Sequence, residues 1–180
     1  MPTGYISIGS NIDRETHIPS SLNALRDLFG ELTVSSIYES EPVGFVGDSF
    51  YNLVIGFQSD LPAKSVAKLL RQVELDHGRS RDSQKFSART LDLDLILYGD
   101  EIINDGRLQI PRDEIEKYAF VLEPLAEIAP NLTHPNTQKS YAELWHQFDK
   151  KDVKQKKTGS EFSGLKPAHR SKACSRTDFR

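Results

Sequence analysis

The chain has 180 residues, 37% of them hydrophobic, a length and composition that suit one domain with a packed core, with or without a tail. Its single Cys excludes a disulfide framework and a Cys-based zinc site, and no apolar run approaches the roughly 18 residues needed to span a bilayer. The formal charge of −3 joins unlike parts: ten Lys or Arg against three acids between Lys150 and Arg180 leave residues 1–149 at −10.

The first strand is expected at Tyr5–Gly9, where apolar and polar residues alternate before Gly9-Ser10-Asn11 opens a loop. Ile18, Leu22, Leu25 and Leu28 then recur at helical spacing, with Thr16 as a cap and Gly30 just past the end. Thr33–Tyr38 and Phe50–Phe57 are β-rich. The connection between them, Glu41-Pro42-Val43-Gly44-Phe45-Val46-Gly47-Asp48, is longer than a hairpin needs, and long loops often carry function. Val66, Leu69, Leu70 and Val73 predict a second helix ending near Gly78, and Thr90–Tyr98 a further strand. The order β-α-β-β-α-β is the split βαβ pattern of a ferredoxin-like α+β core, an antiparallel sheet with both helices on one face. Additional C-terminal helices are expected around 113–117, 124–128 and 141–147. Residues 1–149 form the domain in this reading. Residues 150–180, with seven apolar residues and no periodicity, are read as a basic, disordered tail that can be deleted without loss of catalysis or stability. The N-terminus Met1-Pro2-Thr3-Gly4-Tyr5 lacks the basic and apolar regions of a signal peptide, so a cytoplasmic location is expected.

Chemistry concentrates in Arg89-Thr90-Leu91-Asp92-Leu93-Asp94-Leu95. In a strand Asp92 and Asp94 share one face about 7 Å apart, and two carboxylates so placed can converge on hard cations of the kind used for in-line phosphoryl displacement. The alternative is an exposed strand face that merely carries acids. Asp is disfavoured in strands, however, and two adjacent carboxylates repel unless a cation joins them. Arg79, Arg81, Lys85 and Arg89 lie just upstream, four cations in 11 residues. Beside a metal pair, such cations suit the remaining charge of a nucleoside triphosphate, Arg through its bidentate fork; the loop they occupy is expected to be mobile until a nucleotide orders it. In Phe50-Tyr51-Asn52-Leu53-Val54, Phe50 and Asn52 share a face. An aromatic ring and an amide side by side can stack on and read a flat heterocycle, and equally can be a core Phe beside a strand-end Asn. No G-x-x-x-x-G-K-[ST], G-x-G-x-x-G or H-E-x-x-H motif is present.

The run Gly78-Arg79-Ser80-Arg81-Asp82-Ser83-Gln84-Lys85-Phe86-Ser87-Ala88-Arg89-Thr90-Leu91-Asp92-Leu93-Asp94 closely resembles the signature of the 6-hydroxymethyl-7,8-dihydropterin pyrophosphokinase family of folate biosynthesis. Ile8-Gly9-Ser10-Asn11, Pro42-Val43-Gly44 with Tyr51-Asn52, and Phe120–Pro130 extend the resemblance over roughly residues 4–146. It implies transfer of pyrophosphate from ATP to the hydroxymethyl group of the pterin, with release of AMP. It further implies that Asp92 and Asp94 hold two Mg²⁺ ions with ATP. Arg79, Arg81 and Arg89 join Asp94 as catalytic groups, and Glu74, Arg81, Lys85, Phe86, Arg89, Leu95 and Arg112 surround the nucleotide. Phe50 and Phe120 sandwich the pterin ring while Asn52 and the backbone near Ser40 and Val43 read its amide edge. The partners are then ATP and the pterin, with no nucleic acid or membrane, and the protein a monomer.

Two positions depart from the family pattern. Arg112 stands where His is usual after the proline at 111, and Tyr118 where Arg is usual two residues before the second stacking Phe. Two other readings therefore stand beside the enzyme: a catalytically weakened paralogue that binds pterin or nucleotide, and an RNA-recognition module of the same strand order. Against the latter, the third strand lacks the basic-Gly-aromatic signature and the acidic body repels a phosphate backbone.

Overall fold

A computed structural model of the chain describes residues 1–41, 47–78 and 91–158. Val43, Arg79, Arg81, Lys85, Phe86 and Arg89, and the mobility expected around the last five, lie outside the described residues.

Strand β1 (Thr3–Ser10) leads into helix α1 (Arg14–Phe29), and β2 (Thr33–Val34) and β3 (Tyr38–Ser40) precede the long β4 (Phe50–Gln58). Helix α2 (Ala63–Asp76) and β5 (Asp92–Tyr98) complete the expected order. The strands run β5-β1-β4-β3, all antiparallel, with β2 also on β4. This is the ferredoxin-like arrangement. Ile6, Ile8, Leu53, Ile55, Leu93 and Leu95 point to one face and meet Ile18, Leu22 and Leu25 of α1 and Val66, Leu70 and Val73 of α2 in one cluster. Both helices lie on that face because each carries its apolar residues at three- and four-residue spacing.

The boundaries differ in ways that have local causes. Asp13, not Thr16, begins α1: its backbone is left-handed (φ 47°), and its carbonyl accepts from the N–H of Thr16 and of His17, both at 2.9 Å. The stripe that starts at Ile18 continues to Phe29 rather than Leu28, which is 42% exposed, since four residues beyond Leu25 return to the core face. Gly30, at φ 79°, then ends the helix, with its N–H on Arg26 O.

The opposite face of the sheet is covered by later elements. A hairpin of β6 (Ile103–Asp105) and β7 (Leu108–Ile110), α3 (Glu114–Lys117), α4 (Ala119–Ile128) and α5 (Tyr141–Gln147) follow in order. Val54 and Ile96 of the sheet pack with Val121, Leu122 and Leu125 of α4 and with Tyr141 of α5. Helix α4 starts five residues before the expected 124, because Pro124 sits within the helix instead of opening it. Its far end is tied to the sheet by Glu127, which accepts from the Ser36 N–H (2.9 Å), the Ser36 hydroxyl (2.7 Å) and the Tyr38 hydroxyl (2.5 Å).

Of the tail expected from residue 150, the part up to Thr158 belongs with the sheet, and residues 159–180, with the disorder expected of them, lie outside the described residues. The chain continues into β8 (Gln155–Lys157), which pairs antiparallel with β3 and makes the outer strand of the sheet. Composition misled here. A three-residue strand needs no apolar stripe when its backbone hydrogen bonds and a few side-chain contacts hold it to an edge. Among the described residues no helix is long and apolar enough to cross a membrane.

Candidate active site

One rung of the sheet runs Asp92–Gly9–Asn52–Tyr38 across β5, β1, β4 and β3. Directly opposed residues share a face, so Asp92 and Asn52 stand on the same side about 10 Å apart with only a glycine between them. A Cβ at Gly9 would lie 3.2 Å from Asn52 Oδ1 and 3.8 Å from the Phe50 ring. The glycine therefore leaves the floor open. Asn52, 5% exposed, donates from Nδ2 to Ser40 Oγ at 2.7 Å, which fixes its amide plane and leaves Oδ1 beside the space at Gly9. Phe50 lies two residues before Asn52 on the same face. Phe120 is in the first turn of α4, its ring stacked on Tyr118 with centroids 4.9 Å apart and planes 14° from parallel. Tyr118 thus sets a second aromatic ring against Phe120.

The start of β4 is held from below. Arg14 of α1 donates to Ser49 O at 2.7 Å and lies over the Tyr51 ring, 3.9 Å from its centroid, while Asn11 Nδ2 donates to Asp48 O at 3.3 Å. These two ties fix the stem leading into Phe50.

Along the outer edge of β5 runs a cleft of about 650 Å³. Helix α2 forms one wall with Lys68, Arg71 and Glu74, β5 the floor with Asp94 and Leu95, and the β6–β7 hairpin with Arg112 the other wall, including Arg107. Glu74 is buried and accepts the Leu93 N–H through Oε1 at 3.0 Å, which anchors α2 to the strand edge. Burial, and next the charge of Asp92, push the Asp94 carboxyl up to about 7, with the Arg112 guanidinium opposing them. Arg112 is itself committed to Glu114 by a two-pronged ion pair, Nη2 to Oε1 at 2.7 Å and Nε to Oε2 at 3.1 Å. Burial works against the charge of Glu114, but this pair overrides it and lowers its carboxyl to about 2.

The donor set fits magnesium. Among the described residues no group of three or more His, Cys, Asp or Glu side chains could enclose a metal. Two neighbouring carboxylates, the charge of one raising the carboxyl of the other, match an ion that takes one or two protein oxygens and completes its shell with water and substrate phosphate.

The structure thus gathers Asp94, Glu74, Leu95 and Arg112 at one cleft, and Asp92, Asn52, Ser40 and Phe50 on the adjoining sheet face. Lys68, Arg71, Arg107 and Arg14 escaped sequence reasoning. Their only local sign was a cation beside an amphipathic or turn segment, a pattern shared with many solvated surface residues.

The structure therefore joins an α+β fold, an acidic pair on the edge strand, a cleft with several basic side chains beside it and a sheet face bearing Asn52 and Phe50. The profile of the 7,8-dihydro-6-hydroxymethylpterin-pyrophosphokinase (HPPK) family matches residues 5–130. The 2-amino-4-hydroxy-6-hydroxymethyldihydropteridine pyrophosphokinase of Haemophilus influenzae is 38% identical over 159 residues, covering 86% of this chain and 98% of that protein. The protein of the same name from Aquifex aeolicus is 33% identical over 146 residues, covering 80% and 91%. In fold, the chain is similar to wild-type HPPK-DHPS of Plasmodium falciparum with pteroate, at a TM-score of 0.67 and 11% identity. That match covers 81% of this chain and 44% of the other, so the chain spans less than half of that structure's length. The chain belongs to the HPPK family.

Proposed function

We propose that this chain transfers the pyrophosphoryl group of ATP to the hydroxymethyl oxygen of 6-hydroxymethyl-7,8-dihydropterin, releasing AMP. The observation that carries the reading is the rung Asp92–Gly9–Asn52, which puts an acid of the metal pair and a heterocycle-reading amide on one face with open space between them. The pterin oxygen forms a bond to the β-phosphorus, the bond from that phosphorus to the oxygen bridging the α-phosphate breaks, AMP departs, and the hydroxyl proton goes to water. Both substrates are thereby held at one place, which lowers the entropic part of the barrier.

Asn52 reads the amide edge of the pterin together with the backbone near Ser40 and Val43, and Phe50 and Phe120 take its two faces. Asp92 and Asp94 would hold Mg²⁺, two ions with ATP, supplying positive charge to the triphosphate oxygens. Leu95 and Glu74 border the nucleotide on the β5 and α2 sides, with Lys85 and Phe86 from the preceding loop. Arg112, held by Glu114, presents its fixed charge to the phosphates. Arg79, Arg81 and Arg89 stabilise the charge that shifts as the β-phosphorus changes partners. The protein works as a cytoplasmic monomer without nucleic acid or membrane.

A weakened pterin-binding paralogue is favoured by one observation, the Tyr118 ring in place of a cation. Product analysis separates the two. Incubation with ATP, Mg²⁺ and the pterin is expected to give AMP and pterin diphosphate in equal amounts. ADP as the product would refute the pyrophosphoryl reading, and tight pterin binding without AMP would establish the paralogue.

A further inference from the structure

The rings assigned to the two faces of the pterin lie on different elements, Phe50 at the start of β4 and Phe120 in the first turn of α4. The gap between them depends on how firmly that turn is fixed to the sheet. By sequence the turn is weak. Pro124 has no N–H, so the carbonyl of Phe120, four residues earlier, receives no helical hydrogen bond from it.

A tie from outside reaches the same turn. Phe50, Ser40 and Gln155 form one rung across β4, β3 and β8, so their side chains share the face on which α4 packs. The Gln155 Nε2 donates to Ala119 O at 3.1 Å and to Glu123 Oε1 at 2.9 Å. Its two acceptors bracket Phe120 in sequence, and both amide protons are used. The cleft along β5 draws none of its lining from β3, β8 or α4 among the described residues.

We propose that Gln155, in the segment past the expected domain end, is a positioning residue of the pterin site: its amide holds the first turn of α4, and with it Phe120, in register with Phe50. The proposal rests on the pterin reading of those two rings. It assigns to β8 an effect on the pterin that the nucleotide does not share.

The test uses the full chain and two titrations, α,β-methylene-ATP with Mg²⁺, and 6-hydroxymethylpterin in the presence of that nucleotide. Gln155→Glu keeps the shape but removes both donors and sets a carboxylate against Glu123; it should weaken pterin binding about tenfold and leave nucleotide affinity unchanged. Gln155→Lys, which restores donors to both acceptors, should bind pterin as the parent chain does. Unchanged pterin affinity in Gln155→Glu would overturn the proposal, as would failure of Gln155→Lys to retain affinity. A parallel fall of pterin affinity, nucleotide affinity and melting temperature would also overturn it, because that pattern marks a merely structural residue. If the parent chain binds no pterin, the functional reading itself fails, and this inference with it.

Discussion

Asp94 is the residue on which the electrostatics of the cleft turn. It sits beside Asp92 and near an Arg112 paired with Glu114, and burial together with the charge of Asp92 makes its ionised form costly. Replacing Asp94 by Asn removes one of the two like charges; the metal-free protein should then melt at the same or a higher temperature, while AMP formation falls by about 100–1,000-fold, the usual cost of losing one electrostatic group. A melting curve without Mg²⁺ and a turnover assay with it check both halves. Arg112→Ala should act in the opposite sense. It removes the two-pronged partner of Glu114, whose side chain is 14% exposed, and should cost roughly 1–3 kcal/mol in denaturant unfolding. The sign of the pH effect follows from the lowered Glu114 carboxyl: its contribution is full above the ordinary value of 4.5 and is lost as pH falls toward about 2. Stability of the parent chain should therefore decline over that window by more than that of Arg112→Ala. The Asp pair was legible in the sequence because a period of two fixes which residues share a face. The coupling to Arg112 was not, since it joins β5 to a residue eighteen positions later through tertiary packing alone.

At the scale of elements, α4 joins the aromatic floor to the rest of the sheet. Its first turn carries Phe120 and its last turn carries Glu127, whose three hydrogen bonds to Ser36 and Tyr38 fix the helix against β3. Phe120→Ala should weaken pterin binding by roughly 1–3 kcal/mol, the range of a base stacked on an aromatic side chain, with nucleotide affinity unchanged. Fluorescence titration with the pterin measures it. Glu127→Ala leaves a tyrosine hydroxyl and a backbone N–H without their acceptor, and should lower unfolding stability by roughly 2 kcal/mol. The long elements β1, α1, β4, α2 and β5 could be read in advance because each sustains its period over at least two turns or five residues. The start of α4 could not, as Pro124 breaks the local pattern and the helix is kept going by tertiary contacts, among them packing on Val54 and Ile96. The β6–β7 hairpin did leave a mark, Gly106, which takes the first position of the two-residue Gly106-Arg107 turn with φ 54°. A glycine leading a two-residue turn between short β-rich runs is a hairpin signal, and the turn places Arg107 at the tip beside the cleft.

At the scale of the whole molecule, the sheet is covered on one face by α1 and α2 and on the other by α3, α4 and α5, and the cleft along β5 adjoins the Asp92–Gly9–Asn52 rung. Ligand binding should stabilise this assembly by mass action. Excess α,β-methylene-ATP with Mg²⁺, at about 100 times its Kd, should add about 2.7 kcal/mol and raise the melting temperature, and the pterin should raise it again. The charge division seen in the sequence has a structural counterpart, since basic β8 lies along the acidic body with Lys157 Nζ 3.9 Å from Glu127. Its exposed pairing contributes little energy. Covering β3 has another consequence, for solubility. Bare, Tyr38–Ser40 would offer unpaired N–H and C=O groups to any other chain; with β8 in place the outermost strand instead presents Lys156 and Lys157, which repel a second copy. A chain ended at Val153 should therefore self-associate as its concentration rises, visible in light scattering, whereas one ended at Thr158 should remain dispersed.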